Sequence, residues 1–264
     1  MIFITGGNEW VAQRQAPGYD RAKGSVVFVD CADPNNSRDA EPTTGAMGDN
    51  YYMQMSDYIR QYKGTENRVY VGDSVTIDIN GSFDQWQSDK ITAKYIDYTN
   101  DTAIRNSYGF GNIHYTDDTG RNDFYNMKTA RDDTNIYFYA DTAKDINFTG
   151  GAPMILYLKS GINGNALWYG YDYRIEIEAD AATLKKYDGT QWQIVEAVDY
   201  KIEGNKLMLS VLRTSIGVEK AVNDDILNLQ FKWTDNCDED IWSFYQNGDC
   251  APLGRMNYVY SEAK

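Results

Sequence analysis

A chain of 264 residues, 42% apolar and 14% aromatic, carries enough side-chain bulk for a packed core, which excludes disorder as its dominant state. Its 39 acidic against 25 basic residues leave a net charge of −14, which argues against nucleic acid and anionic membrane surfaces as partners. No apolar run reaches the roughly 20 residues of a membrane span, and one His with three Cys is too few soft ligands for a zinc cage unless carboxylates dominate it.

In chain order, Met1–Thr5 is a short apolar run followed by Gly6-Gly7-Asn8-Glu9-Trp10, with no basic region or cleavage site that would read as a signal peptide. A second run, Ser25–Asp30, leads into the polar loop Cys31–Pro42. Tyr51, Met55, Tyr58, Ile59 and Tyr62 then fall at offsets 0, 4, 7, 8 and 11, one face of a helix that Asp49 or Asn50 caps and Gly64 ends. Short strand, polar loop and amphipathic helix make a βα signature. Its apolar strands and helix stripe need cover, from the rest of the chain or from another chain packing on residues 1–62.

After Gly64 the period changes to two. Ile136, Phe138 and Ala140 alternate with Tyr137 and Tyr139; Tyr171, Tyr173, Ile175, Ile177 and Ala179 with Asp172, Arg174, Glu176 and Glu178; Leu227, Leu229, Phe231 and Trp233 with Asn228, Gln230 and Lys232. Similar runs occupy Val75–Ile79, Ile91–Ile96, Met154–Leu158, Lys206–Leu212 and Met256–Tyr260, separated by turn clusters such as Asn80-Gly81, Asp188-Gly189 and Glu203-Gly204-Asn205. Many short half-polar strands predict a mainly-β protein: an antiparallel β-sandwich over residues 65–264 behind an N-terminal βα fragment over residues 1–64.

The order of several motifs resembles family-nine-like carbohydrate-binding modules. Asp78-Ile79-Asn80-Gly81-Ser82-Phe83-Asp84-Gln85-Trp86 is similar to their opening turn, acid and Trp, with Asn80 where the family usually has Asp. Arg131–Tyr139 resembles their acid-Asn-Ile-Tyr strand, and Phe231–Asn236 their C-terminal half. The resemblance implies a sandwich over roughly residues 70–260 that binds polysaccharide or oligosaccharide, often with a structural calcium. Separately, Ile4–Trp10, Phe28-Val29-Asp30, Ser37-Arg38-Asp39 and Gly48–Tyr52 resemble the end of a glycoside-hydrolase-like (β/α)8 barrel, with Gly7 where that pattern has Trp. A whole barrel needs roughly 200 residues or more, so the resemblance implies the C-terminal part, or a remnant, of a longer polysaccharide-degrading protein. Such a protein is expected to be secreted, periplasmic or on the surface of a bacterium.

Within that frame the candidate residues divide by chemistry. Sugar rings stack on aromatic faces while polar groups bind their hydroxyls. Trp242 with Tyr245 and Asp249 on one loop, and Trp168-Tyr169 after the Gly161–Asn165 loop, are the candidate platforms, whereas Trp233 reads as core and Trp86 as a plug beneath the first turn. The long loop Gly111–Asp123 offers His114, Tyr115, Arg121 and Asp123, either to a hydroxyl-rich or anionic ligand or to one another. Asp235, Asp238 and Asp240, with Asn236, could supply oxygens to calcium, as could Asp132 and Asp133 with loop carbonyls; solvated acids are the competing reading. Cys237 and Cys250 either pair or remain separate thiols.

Glu9 is the catalytic candidate, since a carboxylate at the end of a barrel strand suits acid–base work, although a second carboxylate is normally needed and Asp30 and Asp39 are the nearby choices. No nucleotide loop is present, and with His114 as the one His no haem is expected. The leading expectation is a non-catalytic sandwich that binds glycan or supports the missing barrel portion. The alternative is a hydrolase fragment in which Glu9 acts once the rest of the barrel is supplied.

Overall fold

The computed structural model describes residues 14–15, 27–28, 40, 42, 48–63, 71–108, 114–218 and 227–261. The chain divides into two units, residues 1–68 with 108–114 and residues 69–107 with 115–264.

In the first unit, β1 (Arg14–Gln15) pairs antiparallel with β2 (Val27–Phe28), which lies in the second apolar run. Helix α1 (Asn50–Lys63) begins where the Asp49 carbonyl accepts the Met53 N–H at 2.9 Å. Arg60 and Lys63 in its last turn suit the negative end of the helix dipole. Of the aromatic stripe, Tyr58 and Tyr62 are 64% and 57% exposed. Met1–Thr5 and Gly6–Trp10 lie outside the described residues, as do Asp30, Arg38 and Asp39.

The second unit is an antiparallel β-sandwich. One sheet has five strands, in spatial order β12 (Asp199–Glu203), β13 (Lys206–Leu212), β7 (Asn135–Thr142), β6 (Phe124–Arg131) and β3 (Ala93–Ile96). The other runs β11 (Trp192–Ala197), β10 (Ala182–Tyr187), β9 (Tyr173–Ile177), β8 (Met154–Lys159) and β14 (Asn228–Asp235), with β15 (Asp249–Ala251) and β16 (Tyr258–Ser261) both pairing β14. A separate ribbon joins β4 (Arg105–Tyr108) to β5 (His114–Asp117).

Alternation explains the layers. Ile136, Phe138 and Ala140 of β7 meet Tyr173, Ile175 and Ile177 of β9 and Leu229, Phe231 and Trp233 of β14 in the core between the sheets. The opposite residues of β7, Tyr137 and Tyr139, face away from that core and are covered by Ile77, Ile79, Phe83, Trp86 and Ile91. Trp86 is fully buried there, as a plug should be, and Trp233 is fully buried in the main core.

Two differences from the sequence reading have local causes. Val75–Ile79 forms no strand: Val75 N–H donates to the Arg131 carbonyl at 2.9 Å, and Ile77 and Ile79 pack as cover over β7. Tyr171 leaves the inward row of its run: the chain turns at Trp168–Tyr171, β9 starts at Tyr173, and the Tyr171 ring joins the outer face.

The β6–β7 turn is tied by one carboxylate. Asp132 accepts hydrogen bonds from Tyr137 Oη at 2.6 Å, Thr76 Oγ1 at 2.9 Å, and the backbone N–H groups of Thr134 and Asn135 at 2.8 and 2.7 Å. Burial alone would raise its carboxyl pKa, but these bonds outweigh it and hold Asp132 below the usual range. Asp132→Ala is therefore expected to cost about 2 kcal/mol in urea unfolding at neutral pH. Because the folded pKa is depressed, this contribution is complete above the ordinary value of about 4 and lost as pH falls through the folded value. Equal stability of variant and wild type at neutral pH would contradict this.

Candidate functional site

The outer face of the seven-stranded sheet carries the strongest concentration of ligand-type side chains. Register sets its first row: Lys185 of β10 lies beside Arg174 of β9, Arg174 beside Tyr157 of β8, and Tyr157 beside Lys232 of β14. Over the β8–β14 end, Ile155, Tyr157 and Tyr171 pack with Cys237, Ile241, Phe244 and Cys250, and Trp168, Trp192 and Trp242 pack against this cluster. The 3-10 turn Ile241–Tyr245, capped by the Asp240 carboxylate on Trp242 N–H, places Ile241 and Phe244 inward and leaves Trp242 half-buried.

Trp168 and Tyr169 are presented by a tight turn. Trp168 and Tyr171 exchange backbone hydrogen bonds at 2.9 Å, with Tyr169 at φ +48° and Gly170 at φ +106°. Positive φ at both central positions is the pattern of a type I′ hairpin turn, costly for a tyrosine and free for a glycine. The result is a Trp168 ring stacked on Tyr157, at 5.3 Å and 10°, and a Tyr169 ring that is 61% exposed. Trp192, the first residue of β11, stands 6.0 Å from Trp168 at 61°.

Charge lines the same face. The Arg174 guanidinium lies 4.7 Å over the Trp192 ring and bonds Glu239 at 2.7 Å. It also pairs with Glu176, which in turn pairs with Lys185. Arg174 is 3% exposed, yet its Nε and Nη1 donors have no hydrogen-bond partner. Glu239 is 69% exposed at its side chain and free to meet solvent. Half-exposed indoles beside the accessible Glu239 carboxylate can stack on an apolar ring face and bond its hydroxyls.

No protein-family model matches the chain, and no curated protein matches it. Among solved structures it is similar to a family 9 carbohydrate-binding module from Caldicellulosiruptor kristjanssonii in complex with glucose, at 14% identity and a TM-score of 0.36, over 64% of this chain and 78% of that one. At that score the likeness carries no argument about this chain; its own two sheets establish the sandwich.

The structure distributes the sequence candidates unevenly. Trp168, Tyr169, Trp242 and Tyr245 reach the outer face or its rim, with Trp242 and Tyr245 stacked at 6.4 Å and 27°. Asp249 does not join them: it is 3% exposed on β15, and its Oδ2 accepts Phe124 N–H at 2.6 Å. Its side chain points away from the loop because β15 pairs with β14 and buries it.

The loop cluster is also divided. His114 and Tyr115 belong to β5, where His114 stacks on Tyr108 at 4.4 Å. Arg121 turns inward to Asp235 at 2.9 Å, and Asp123 is 9% exposed with Oδ2 accepting Asn100 N–H at 2.7 Å. These last two fasten the loop itself.

Nor do Asp235, Asp238 and Asp240 converge on a cation. Arg121 and Asn122 hold Asp235, whose carboxyl is nevertheless pushed up to about 6 by burial; Asn247 donates to Asp238, and Asp240 caps the 3-10 turn. Asp132 is saturated by the turn described above. Cys237 and Cys250 are separate buried thiols, and burial pushes Cys250 up to about 11. Glu9 lies outside the described residues.

Sequence reasoning missed Trp192, Arg174 and Glu239. Their signals were weak: a Trp one residue after the Asp188–Gln191 turn, and an Arg–Glu alternation on the polar side of β9, facing outward like any solvated pair.

Proposed function

We propose that this protein binds carbohydrate through the outer face of its seven-stranded sheet, without chemistry at that face. One observation carries the reading: Trp168, Trp192 and Trp242 converge on a single sheet face beside Glu239, whose exposed carboxylate is held by the buried Arg174. Another concavity in the same unit, about 410 Å3 and lined by Asn100, Arg121, Asp123 and Lys144 among others, has no aromatic lining and so no platform for a sugar ring. Glu176 and Glu239 both lie in ion pairs with Arg174, which suits positioning of hydroxyls rather than proton transfer. The resemblance of residues 78–86 and 131–139 to sugar-binding modules supports the same reading.

On this reading the chain is the C-terminal, targeting part of a longer polysaccharide-degrading protein that works outside the cell. Residues 1–64 are then the tail of the barrel to which the sandwich is attached. The hydrolase alternative, in which Glu9 acts with a partner, has no observation in its favour among the described residues.

The experiment is retention of the whole chain on a glycan panel, with reducing ends measured in parallel. Retention without reducing-end release is expected. Trp168→Ala and Trp192→Ala should each weaken binding by roughly ten- to thirtyfold, the equivalent of about 1–2 kcal/mol for a lost stacking face. Glu239→Gln should weaken it less and leave melting unchanged. Failure of every glycan to bind, or unchanged affinity in both Trp variants, would overturn the proposal.

A further inference from the structure

The charges of the indole face are sorted by depth, with its cations underneath. Arg174 is 3% exposed and bound to Glu176 and Glu239. Lys232 is fully buried, donates to the Pro252 carbonyl and lies 5.5 Å from the centre of the Phe244 ring. Lys185, farther along the same row, is paired with Glu176, and its side chain is mostly buried. Arg255, 5.7 Å over the Trp242 ring, is half-buried.

The anions lie on top. Asp238, Glu239 and Asp240 are all exposed, on the segment that leads directly into Trp242. Exposed acids are common on a chain of net charge −14, so the aromatic platform beside these three is what gives them meaning. Their positions are fixed against it. Asp240 caps the Trp242 N–H at 3.2 Å, and Asn247 donates to Asp238 at 2.8 Å. The guanidinium that holds Glu239 Oε1 at 2.7 Å is the one lying 4.7 Å over the Trp192 ring. One buried group therefore sets both an indole and the carboxylate next to it.

This layering bears on which sugar the face accepts. A neutral hydroxyl gains an ordinary hydrogen bond from Glu239, whereas a protonated amine gains a charge-assisted one, roughly twice as strong. Asp238 and Asp240 add attraction for a cation and repulsion for an anion. The cations that could welcome a uronate are buried or already paired with acids.

We infer that the face selects amino sugars with a free amine, of the glucosamine type, over neutral sugars, and rejects uronic-acid glycans, with Glu239 meeting the amine. The inference rests on the carbohydrate-binding reading above and adds the charge of the ligand to it.

The test is calorimetric titration of the whole chain at pH 6, where the amine of glucosamine carries its proton. The probes are three short oligomers of equal length: a β-1,4-linked glucosamine trimer, cellotriose and trigalacturonate. At low salt the glucosamine trimer should bind about tenfold more tightly than cellotriose, and trigalacturonate should not bind. High salt should shrink the preference to within about threefold, because exposed charges are screened. Glu239→Gln, at an exposed position that tolerates the change, should lose most of the preference while holding cellotriose to within about threefold. Trp192→Ala should weaken the glucosamine trimer as much as it weakens cellotriose. Undiminished binding of the amino sugar by that variant would show diffuse attraction to an acidic chain and overturn the inference. Equal affinity for the two trimers, or a preference that survives in Glu239→Gln, would overturn it and leave the carbohydrate-binding reading intact. If none of the three binds, and the wider glycan panel is also negative, that reading fails and takes the inference with it.

Discussion

Arg121→Ala is expected to destabilise the sandwich by about 3–5 kcal/mol, the penalty for leaving a buried carboxylate without its counter-charge. Arg121 Nε donates to Asp235 Oδ2 at 2.9 Å, and the guanidinium also bonds the carbonyls of Gly150 and Ala152. The Asp235 side chain is fully buried, so truncating Arg121 removes its cation and frees two carbonyls together. For a chain of this size the melting temperature should fall by on the order of 10 °C.

The loss should depend on pH in a stated direction. Burial raises Asp235 to about 6 even with Arg121 present. Removing the cation raises it further, so the variant retains its stability at low pH and loses it as pH rises through the new folded pKa. Unfolding at pH 5 and pH 8 measures this: the gap between wild type and variant should be wider at the higher pH. Arg121→Ala/Asp235→Ala should cost less than the sum of the two single changes, because neither charge is left alone. Additive losses would show that the pair is not energetically coupled.

Trp86→Ala should cost a similar 3–5 kcal/mol, by a different mechanism. Trp86 is fully buried in the cover over β7, its ring 5.3 Å from Tyr139, its Nε1 directed at Met208 Sδ at 3.3 Å, and its carbonyl accepting Lys128 Nζ at 2.9 Å. Alanine leaves a cavity lined by Phe83, Tyr139 and Met208 that a rigid sheet cannot collapse to fill. Trp86→Phe should recover most of the loss, since the nitrogen–sulfur contact is weak beside the packing. Glycan retention by folded Trp86→Ala protein should match wild type, which separates this Trp from Trp168 and Trp192. Reduced retention at unchanged fold would contradict that assignment.

The alternation along β7, β9 and β14 was readable residue by residue. Ile136, Phe138 and Ala140, then Tyr173, Ile175 and Ile177, then Leu229, Phe231 and Trp233, all lie on the side the period-two pattern indicates. β13 has the bounds of the run Lys206–Leu212, and α1 starts beside its expected cap. Such features are local: a pleated strand sends neighbouring side chains to opposite faces whatever its partners are.

What the outward faces do was not readable, because it depends on which strands pair. Arg174 and Lys232 stand on the polar side of the alternation, yet they are 3% and 0% exposed, since the turn Ile241–Tyr245 and the Trp168–Tyr171 turn lie over the sheet. Asp249 read as a neighbour of Trp242 on one loop, and the pairing of β15 with β14 turned it instead toward Asp97 and Asp101, about 150 residues away in sequence. The sequence by itself determined the strands, their inward residues and the mainly-β class, because these follow from a two-residue period. Only the tertiary structure decided that Trp168, Trp192 and Trp242 share a face and that Asp97, Asp101 and Asp249 meet on the other side of β15. Those meetings are set by strand order and register, which bring distant segments together and leave no trace in local spacing.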